Sequence, residues 1–241
     1  MKKIYKFESR EKLFEAVANR CAQQISRGIE KQGRANIIVP GGTTPAPVFE
    51  KLAAMSLDWH NVSIIPSDDR WVDATHTQSN QKLISESFLR DKASKAVLIP
   101  LKNEAVTPQA GVEQCEANLE EVIRPYDFVL LGMGNDGHFA SLFPGISNLT
   151  QGLNLNNCNK AIAIDASGCP VAGEITDRIS LTLSTLVDSH VIAILVTGEE
   201  KLKVIDACFE QVNANAVDAE SFPMTHLLKQ SKTPVEIYWA L

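Results

Sequence analysis

Short, mostly apolar segments alternate with longer amphipathic segments along the 241-residue chain. Residues 36–39, 62–65 and 128–131 are strand-sized apolar runs, whereas residues 10–32 carry apolar side chains at helical spacing. Apolar runs of this kind, separated by helices, are typical of strands buried on both faces of a sheet. The pattern therefore predicts an α/β fold with a mainly parallel sheet flanked by helices.

The same alternation continues to the end of the chain without a repeat or a linker. Further strands are predicted over residues 97–99, 161–164, 179–183, 191–196 and 235–239, and further helices after Pro45 and over residues 78–89, 109–123 and 199–209. We expect residues 1–241 to form a single domain. Ligands of such sheets bind beyond the carboxyl ends of the strands, which is where the motifs below occur.

Composition limits the classes of partner. The net charge is −6 and no block of Lys or Arg is present, which argues against nucleic acid and anionic membranes as partners. No apolar run reaches transmembrane length, and we expect no signal peptide. The five cysteines are scattered and form no C-x-x-C pair. We therefore expect reduced thiols, no zinc site and a cytoplasmic protein.

The first motif, Pro-Gly-Gly-Thr-Thr-Pro at residues 40–45, lies between a predicted strand and a predicted helix. Glycines let backbone N–H groups approach a ligand closely, and a helix N-terminus favours an anion. The threonine hydroxyls add hydrogen-bond donors. The motif indicates either a phosphate-binding loop or a tight turn with Thr44 as the helix N-cap. It is not a Walker loop, because the required spacing is missing.

The second motif, Ser-Asp-Asp-Arg-Trp at residues 67–71, directly follows a predicted strand. Arg70 is suited to bind a substrate anion or to be held by a carboxylate. The alternative is a solvated turn. Asp68, Asp69, Asp73 and His76 also suggest a metal site, but no spacing among them defines a ligand set, so we predict no metal site.

The third motif spans residues 132–145 and contains glycines 132, 134 and 137. Their spacing is that of a dinucleotide-binding loop, but the motif lies mid-chain and no acidic residue follows about 20 positions on. The Asp-Gly-His triplet ending at His138 is more informative. An imidazole titrates near neutrality and can act as a general base, and Asp136 can fix its tautomer. The alternative is a structural histidine with an N-cap aspartate.

Two cations follow later in the chain. Arg178 precedes a predicted strand, and Lys201 follows another strand and opens a helix. Either one alone is most often a solvated surface residue. Together with the glycine-threonine loop, they would make a receptor for a phosphate dianion.

These motifs resemble the 6-phosphogluconolactonase family, in order, over roughly residues 7–238. The segment from Gly132 to Gly145 is the most specific part of the resemblance. It implies hydrolysis of 6-phospho-D-glucono-1,5-lactone, the second step of the oxidative pentose phosphate pathway, without a metal or organic cofactor. It also implies a Rossmann-like fold shared with glucosamine-6-phosphate deaminase, and one lactonase domain over residues 1–241.

The resemblance also assigns roles to residues. His138 would be the base that activates water, Asp136 would support it, and Arg70 would position substrate or stabilise charge. Asp68 would contact the substrate. The residues expected to hold the substrate phosphate are Gly41, Gly42, Thr43, Thr44, Arg178 and Lys201.

The chain departs from the family pattern at Pro40, Asp69 and Phe139, where serine, glutamate and threonine are more usual. Phe143 distinguishes the chain from the nearest alternative, the deaminases, because deaminase relatives carry a glutamate at this position. An amino-sugar-phosphate isomerase or deaminase is therefore disfavoured. A non-catalytic sugar-phosphate sensor is disfavoured because Asp136 and His138 are both present. The oligomeric state does not follow from the sequence.

Overall fold

Ten strands make up two sheets in the computed structural model, which describes residues 2–218 and 220–241. The strands are β1 (Lys2–Phe7), β2 (Ala35–Val39), β3 (Val62–Pro66), β4 (Asp68–Arg70), β5 (Val97–Leu98), β6 (Phe128–Leu131), β7 (Ala161–Asp165), β8 (Asp177–Leu181), β9 (Ile192–Thr197) and β10 (Val235–Ala240). Seven of them form a parallel sheet in the order β1-β10-β9-β6-β2-β3-β5. This confirms the predicted fold class.

Eight α-helices accompany the strands within the described part of the chain. They are α1 (Arg10–Gln32), α2 (Ala46–Ala53), α3 (Asn80–Ser87), α4 (Pro108–Glu120), α5 (Leu149–Leu153), α6 (Leu183–Leu186), α7 (Glu199–Asn213) and α8 (Pro223–Lys229). The first helix has the predicted bounds because both ends carry strong signals. The Ser9 side chain accepts from the Lys12 amide, and Gly33 ends the helix in the left-handed conformation with φ 78°. No helix in the described residues is long and apolar enough to cross a membrane.

Alternate side chains of the central strands supply two separate cores. Ile37 and Leu130 face the core that α1 and α2 cover, whereas Ile38 and Leu131 face the core on the other side. All four side chains are buried. Burial on both faces explains why these strands are continuously apolar in the sequence.

The predicted strands at residues 161–164 and 179–183 lie outside the parallel sheet. They form β7 and β8, which pair antiparallel with β4 in a second sheet of order β4-β8-β7. Apolar periodicity identifies such segments as strands but does not say which partner they pair with. The short strand β4 was not predicted, because its sequence Asp-Asp-Arg is poor in strand-forming residues.

The order of the parallel strands reverses between β2 and β6, which lie side by side. The chain proceeds from β2 outward to β3 and β5 in one direction, and from β6 outward to β9 and β10 in the other. Loops that leave two such strands diverge and open a crevice at their carboxyl ends. The loop of residues 40–45 and the loop of residues 132–145 leave β2 and β6 at this point.

Candidate active site

A cleft with a volume of about 280 Å³ opens at this crevice. Its lining includes eight of the ten predicted site residues: Gly41, Gly42, Thr44, Asp68, Arg70, His138, Arg178 and Lys201. Asp136 is not among the lining residues but contacts His138 directly. Thr43 is exposed and lines a neighbouring cavity instead of this cleft.

His138 and Asp136 form a hydrogen-bonded pair at one side of the cleft. The His138 Nδ1 atom lies 2.6 Å from the Asp136 Oδ1 atom. A carboxylate only accepts, so Nδ1 carries the proton, and Nε2 of the neutral ring is an acceptor without a hydrogen-bond partner among the described residues. Burial acts to raise the pKa of Asp136, but the hydrogen bond and charge of His138 outweigh it and hold that pKa below its usual value.

Gly134 makes room for this pair. A Cβ atom at position 134 would lie 2.3 Å from His138 Nδ1 and 2.4 Å from Asp136 Oδ1, far inside van der Waals contact. Gly137, between the two residues, has a φ of +74°, which favours glycine. Two of the three motif glycines therefore serve the geometry of the histidine–aspartate pair rather than a dinucleotide.

Phe143 lies between the histidine and one of the cations. Its ring centroid is 4.4 Å from that of His138 and 5.2 Å from the Arg178 Cζ atom. The side chain is buried and brings no carboxylate to this part of the cleft. The second contact is a cation–π interaction, which holds the guanidinium beside the ring.

Arg178 and Lys201 provide positive charge at the cleft without a carboxylate within ion-pair distance among the described residues. Burial lowers the pKa of Arg178; the nearby charge of Asp68 opposes this shift and that of Arg70 adds to it. Burial also lowers the pKa of Lys201, which lies in the first turn of α7. A cation at a helix N-terminus is unfavourable, and Glu199 and Glu200 in the same turn offset it in part.

The pairing of β4 with β8 places Arg70 directly opposite Arg178. Like charges in opposed positions of a sheet destabilise it, so this arrangement indicates a site for an anion. The lining contains three cations, Arg70, Arg178 and Lys201, and one described carboxylate, that of Asp68. The cleft is therefore positive although the whole chain carries a charge of −6.

Asp68 links β4 to the loop that carries His138. Its carboxylate accepts from the Ser67 hydroxyl at 2.9 Å and from the Ser141 hydroxyl at 2.5 Å. Between Ser141 and the histidine, Ala140 adopts a φ of +49°, a strained conformation for a residue with a side chain. Ser141 was not predicted as a site residue, because its contact with Asp68 joins residues 73 positions apart in the chain. Ser67 was recognised as part of the second motif, but no role was assigned to it.

Asp69 has a structural role behind the cleft. Its carboxylate accepts from three backbone amides, those of Arg70, Asn80 and Gln81, and so holds the start of α3. Burial raises the pKa of Asp69 to about 6, although the amide hydrogen bonds oppose the shift. Among the described residues, no three carboxylate, histidine or cysteine side chains are grouped as metal ligands.

Comparisons with known proteins agree with the geometry. A family model described as glucosamine-6-phosphate isomerases/6-phosphogluconolactonase matches residues 8–239. The chain belongs to this family. A 6-phosphogluconolactonase from Caulobacter vibrioides is 35% identical over 238 residues, which are 99% of this chain and 97% of that protein. One from Rhizobium meliloti is 33% identical and covers 97% of each.

Solved structures in the family share the fold. The crystal structure of a 6-phosphogluconolactonase from Shewanella baltica is 33% identical, covers 100% of this chain and 98% of its own, and has a TM-score of 0.92. A monomeric glucosamine-6-phosphate deaminase, 18% identical with a TM-score of 0.76 and covering 98% and 96%, shows the shared fold alone. These findings confirm the predicted family and the predicted enzyme class, a 6-phosphogluconolactonase.

Proposed function

We propose that the chain hydrolyses 6-phospho-D-glucono-1,5-lactone to 6-phospho-D-gluconate as one lactonase domain, with His138 as the base. The observation that carries the proposal is that His138 and the cations Arg70, Arg178 and Lys201 line one cleft of about 280 Å³. A phosphorylated sugar lactone needs both a water-activating group and an anion receptor. The relatives named 6-phosphogluconolactonase, which match over nearly their whole length, support the same reaction.

The phosphate would bind at the end of the cleft formed by the β2–α2 loop. Gly41, Gly42 and Thr44 lie there, and Arg178 and Lys201 supply the charge. Gly42 has a φ of +86°, which leaves the loop backbone free to turn toward a ligand. Thr43 was predicted to join this set, but it is exposed and lines a neighbouring cavity, so the proposed receptor does not include it.

The bound phosphate would fix the sugar so that C1 lies near His138, which reduces the entropic barrier to attack. Nε2 of neutral His138 takes a proton from water while the water oxygen forms a bond to C1. The resulting imidazolium is stabilised by Asp136. The bond between C1 and the ring oxygen then breaks, the ring oxygen takes the proton from Nε2, and the C1 carboxylic acid ionises.

Arg70 is the proposed donor to the negative charge that develops on the C1 oxygen. It lines the cleft, carries no ion pair among the described residues, and lies on a strand rather than on a loose loop. A fixed cation aimed at developing charge stabilises a transition state without reorganisation at the moment of reaction. No metal or organic cofactor takes part in this proposal.

The test is an assay of freshly generated 6-phosphogluconolactone against its spontaneous hydrolysis. We expect acid release to exceed the spontaneous rate with the parent protein and to return close to that rate with His138→Ala. His60→Ala is the matched control, since it also removes an imidazole but lies outside the cleft. Hydrolysis at the spontaneous rate by the parent protein would reject the function. Ammonia release from glucosamine 6-phosphate would favour the deaminase alternative.

A further inference from the structure

We propose that Asn80 is a positioning residue that holds the guanidinium of Arg70 in its working orientation, an inference that rests on the proposed function. Asn80 is the first residue of α3 and is 2% exposed. It lines the cleft together with Arg70. Nothing in its position requires an amide side chain for the helix itself, because Ser79 and Asp69 already cap that helix.

The amide of Asn80 has only one orientation that satisfies its neighbours. Its Nδ2 atom donates to the Asp68 carbonyl at 2.8 Å, and its Oδ1 atom accepts from Arg70 Nη1 at 2.8 Å. A carbonyl can only accept and a guanidinium can only donate. Rotating the amide by half a turn would therefore face acceptor to acceptor and donor to donor. The side chain thus presents a fixed acceptor to Arg70.

Asn80 provides the shorter of the two hydrogen bonds that the described residues make to the Arg70 side chain. The other is from Nη1 to the Gln78 carbonyl at 3.3 Å. The Nε atom is buried and has no hydrogen-bond partner among the described residues. An arginine side chain has many rotamers, and fixing one of them costs entropy. The Asn80 contact therefore carries much of the restraint on the direction of this cation.

Asn80 is itself held on two sides. Its backbone amide donates to Asp69 Oδ1 at 2.7 Å. The β2–α2 loop also lies against the side-chain amide, since a Cβ atom at Gly41 would be only 1.9 Å from Oδ1. The residue therefore contacts both the proposed phosphate loop and β4, and these contacts restrain its movement.

A double-mutant cycle tests the inference in the full-length protein with 6-phosphogluconolactone as substrate. We expect Asn80→Ala to lower kcat by about tenfold, the order expected for losing one hydrogen bond to a charged group, and to change KM by less than about twofold. The double variant Arg70→Ala/Asn80→Ala should be no slower than Arg70→Ala, because the amide acts only through the arginine.

Ser79→Ala is the matched control, since it removes a cap of the same helix but leaves the contact between Asn80 and Arg70 intact. It should keep the parent kcat. Asn80→Ser, whose hydroxyl is too short to reach Arg70, replaces Asn80→Ala if the alanine variant does not fold. Parent-like kcat in both Asn80 variants, or losses that multiply in the double variant, would overturn the role of Asn80 alone. A parent-like rate for Arg70→Ala would instead reject the role of Arg70 in the proposed function.

Discussion

The Nδ1 atom of His138 lies 2.6 Å from the Oδ1 atom of Asp136, and this contact decides which imidazole nitrogen is available in the cleft. With the proton on Nδ1, the Nε2 atom is the acceptor. A general base must present an acceptor to the proton that it removes. The aspartate therefore acts through the tautomer and the charge of the ring, not by contact with the lactone.

Removing His138 should lower kcat more than neutralising Asp136 does. We expect His138→Ala to lower kcat by about 10²–10⁴-fold, the usual cost of losing a general base. Asp136→Asn keeps a hydrogen-bonding group but loses its charge, so about a 10- to 100-fold loss is expected. Steady-state hydrolysis assays with binding of phosphate measured in parallel check both values. A loss of phosphate affinity as large as the loss in kcat would contradict the assignment of this pair to catalysis.

Lys201→Met should raise the KM for the phosphorylated lactone by about 10- to 100-fold, because one charge-assisted contact to the phosphate is lost. Methionine keeps most of the length of the aliphatic part of the Lys201 side chain, which is half-buried. Glucono-1,5-lactone without the phosphate provides the control substrate, and its kcat/KM should be unchanged. An equal loss of kcat/KM on both substrates would show that Lys201 does not bind the phosphate.

Arg178→Ala is a poorer test of the same site. The guanidinium also donates from Nη2 to the Ala172 carbonyl and from Nε to the Ile175 carbonyl, at 3.2 Å for the latter. Its removal would therefore release the loop between β7 and β8 as well as a phosphate contact. A rise in KM for this variant has two causes, whereas Lys201→Met isolates one.

Gly134→Ala should reduce kcat strongly, although the backbone at this position does not require glycine. The new methyl group would meet His138 Nδ1 at 2.3 Å and force the histidine–aspartate pair apart. Gly132→Ala is the control for folding only: no heavy atom of the described residues lies within 4 Å of a Cβ placed there, but the position itself lines the cleft. Thermal unfolding of both variants, measured beside hydrolysis, separates the two effects. Parent-like turnover by Gly134→Ala would show that the pair tolerates displacement.

The buried carboxyl of Asp69 should make stability depend on pH. Its pKa is raised from 3.8 to about 6 by burial, so the folded protein binds the proton more tightly than the unfolded chain does. The stabilisation is complete below about pH 3.8 and is lost as the pH rises through about 6.

Between pH 4.5 and pH 7, the parent should lose about 2 kcal/mol of unfolding free energy relative to Asp69→Asn, whose side chain does not titrate. Urea denaturation of both proteins at the two pH values measures this difference. Asp69→Asn also alters the three hydrogen bonds that backbone amides donate to this side chain. Because asparagine does not titrate, this change shifts the stability of the variant by an amount that does not depend on pH. A constant gap between the two proteins would contradict a raised pKa.

Much of this protein follows from local sequence signals. The bounds of α1, the strand at residues 128–131 and the pairing of Asp136 with His138 all depend on residues within a few positions of one another. Burial on both faces makes the central strands continuously apolar, and this pattern is visible without a structure. The family resemblance of residues 132–145 has the same local origin.

Only the tertiary structure decided which distant groups meet. The sequence does not reveal that β8 pairs with β4, which brings Arg178 opposite Arg70, or that Asn80 supplies the acceptor beside it. It also does not show that Thr43 lines a neighbouring cavity and not the cleft. Apolar period and glycine spacing describe one segment at a time, whereas strand partners and side-chain contacts depend on how all segments pack together. The sequence identifies each cation as a candidate anion-binding group, but the residues that surround it depend on how the chain folds.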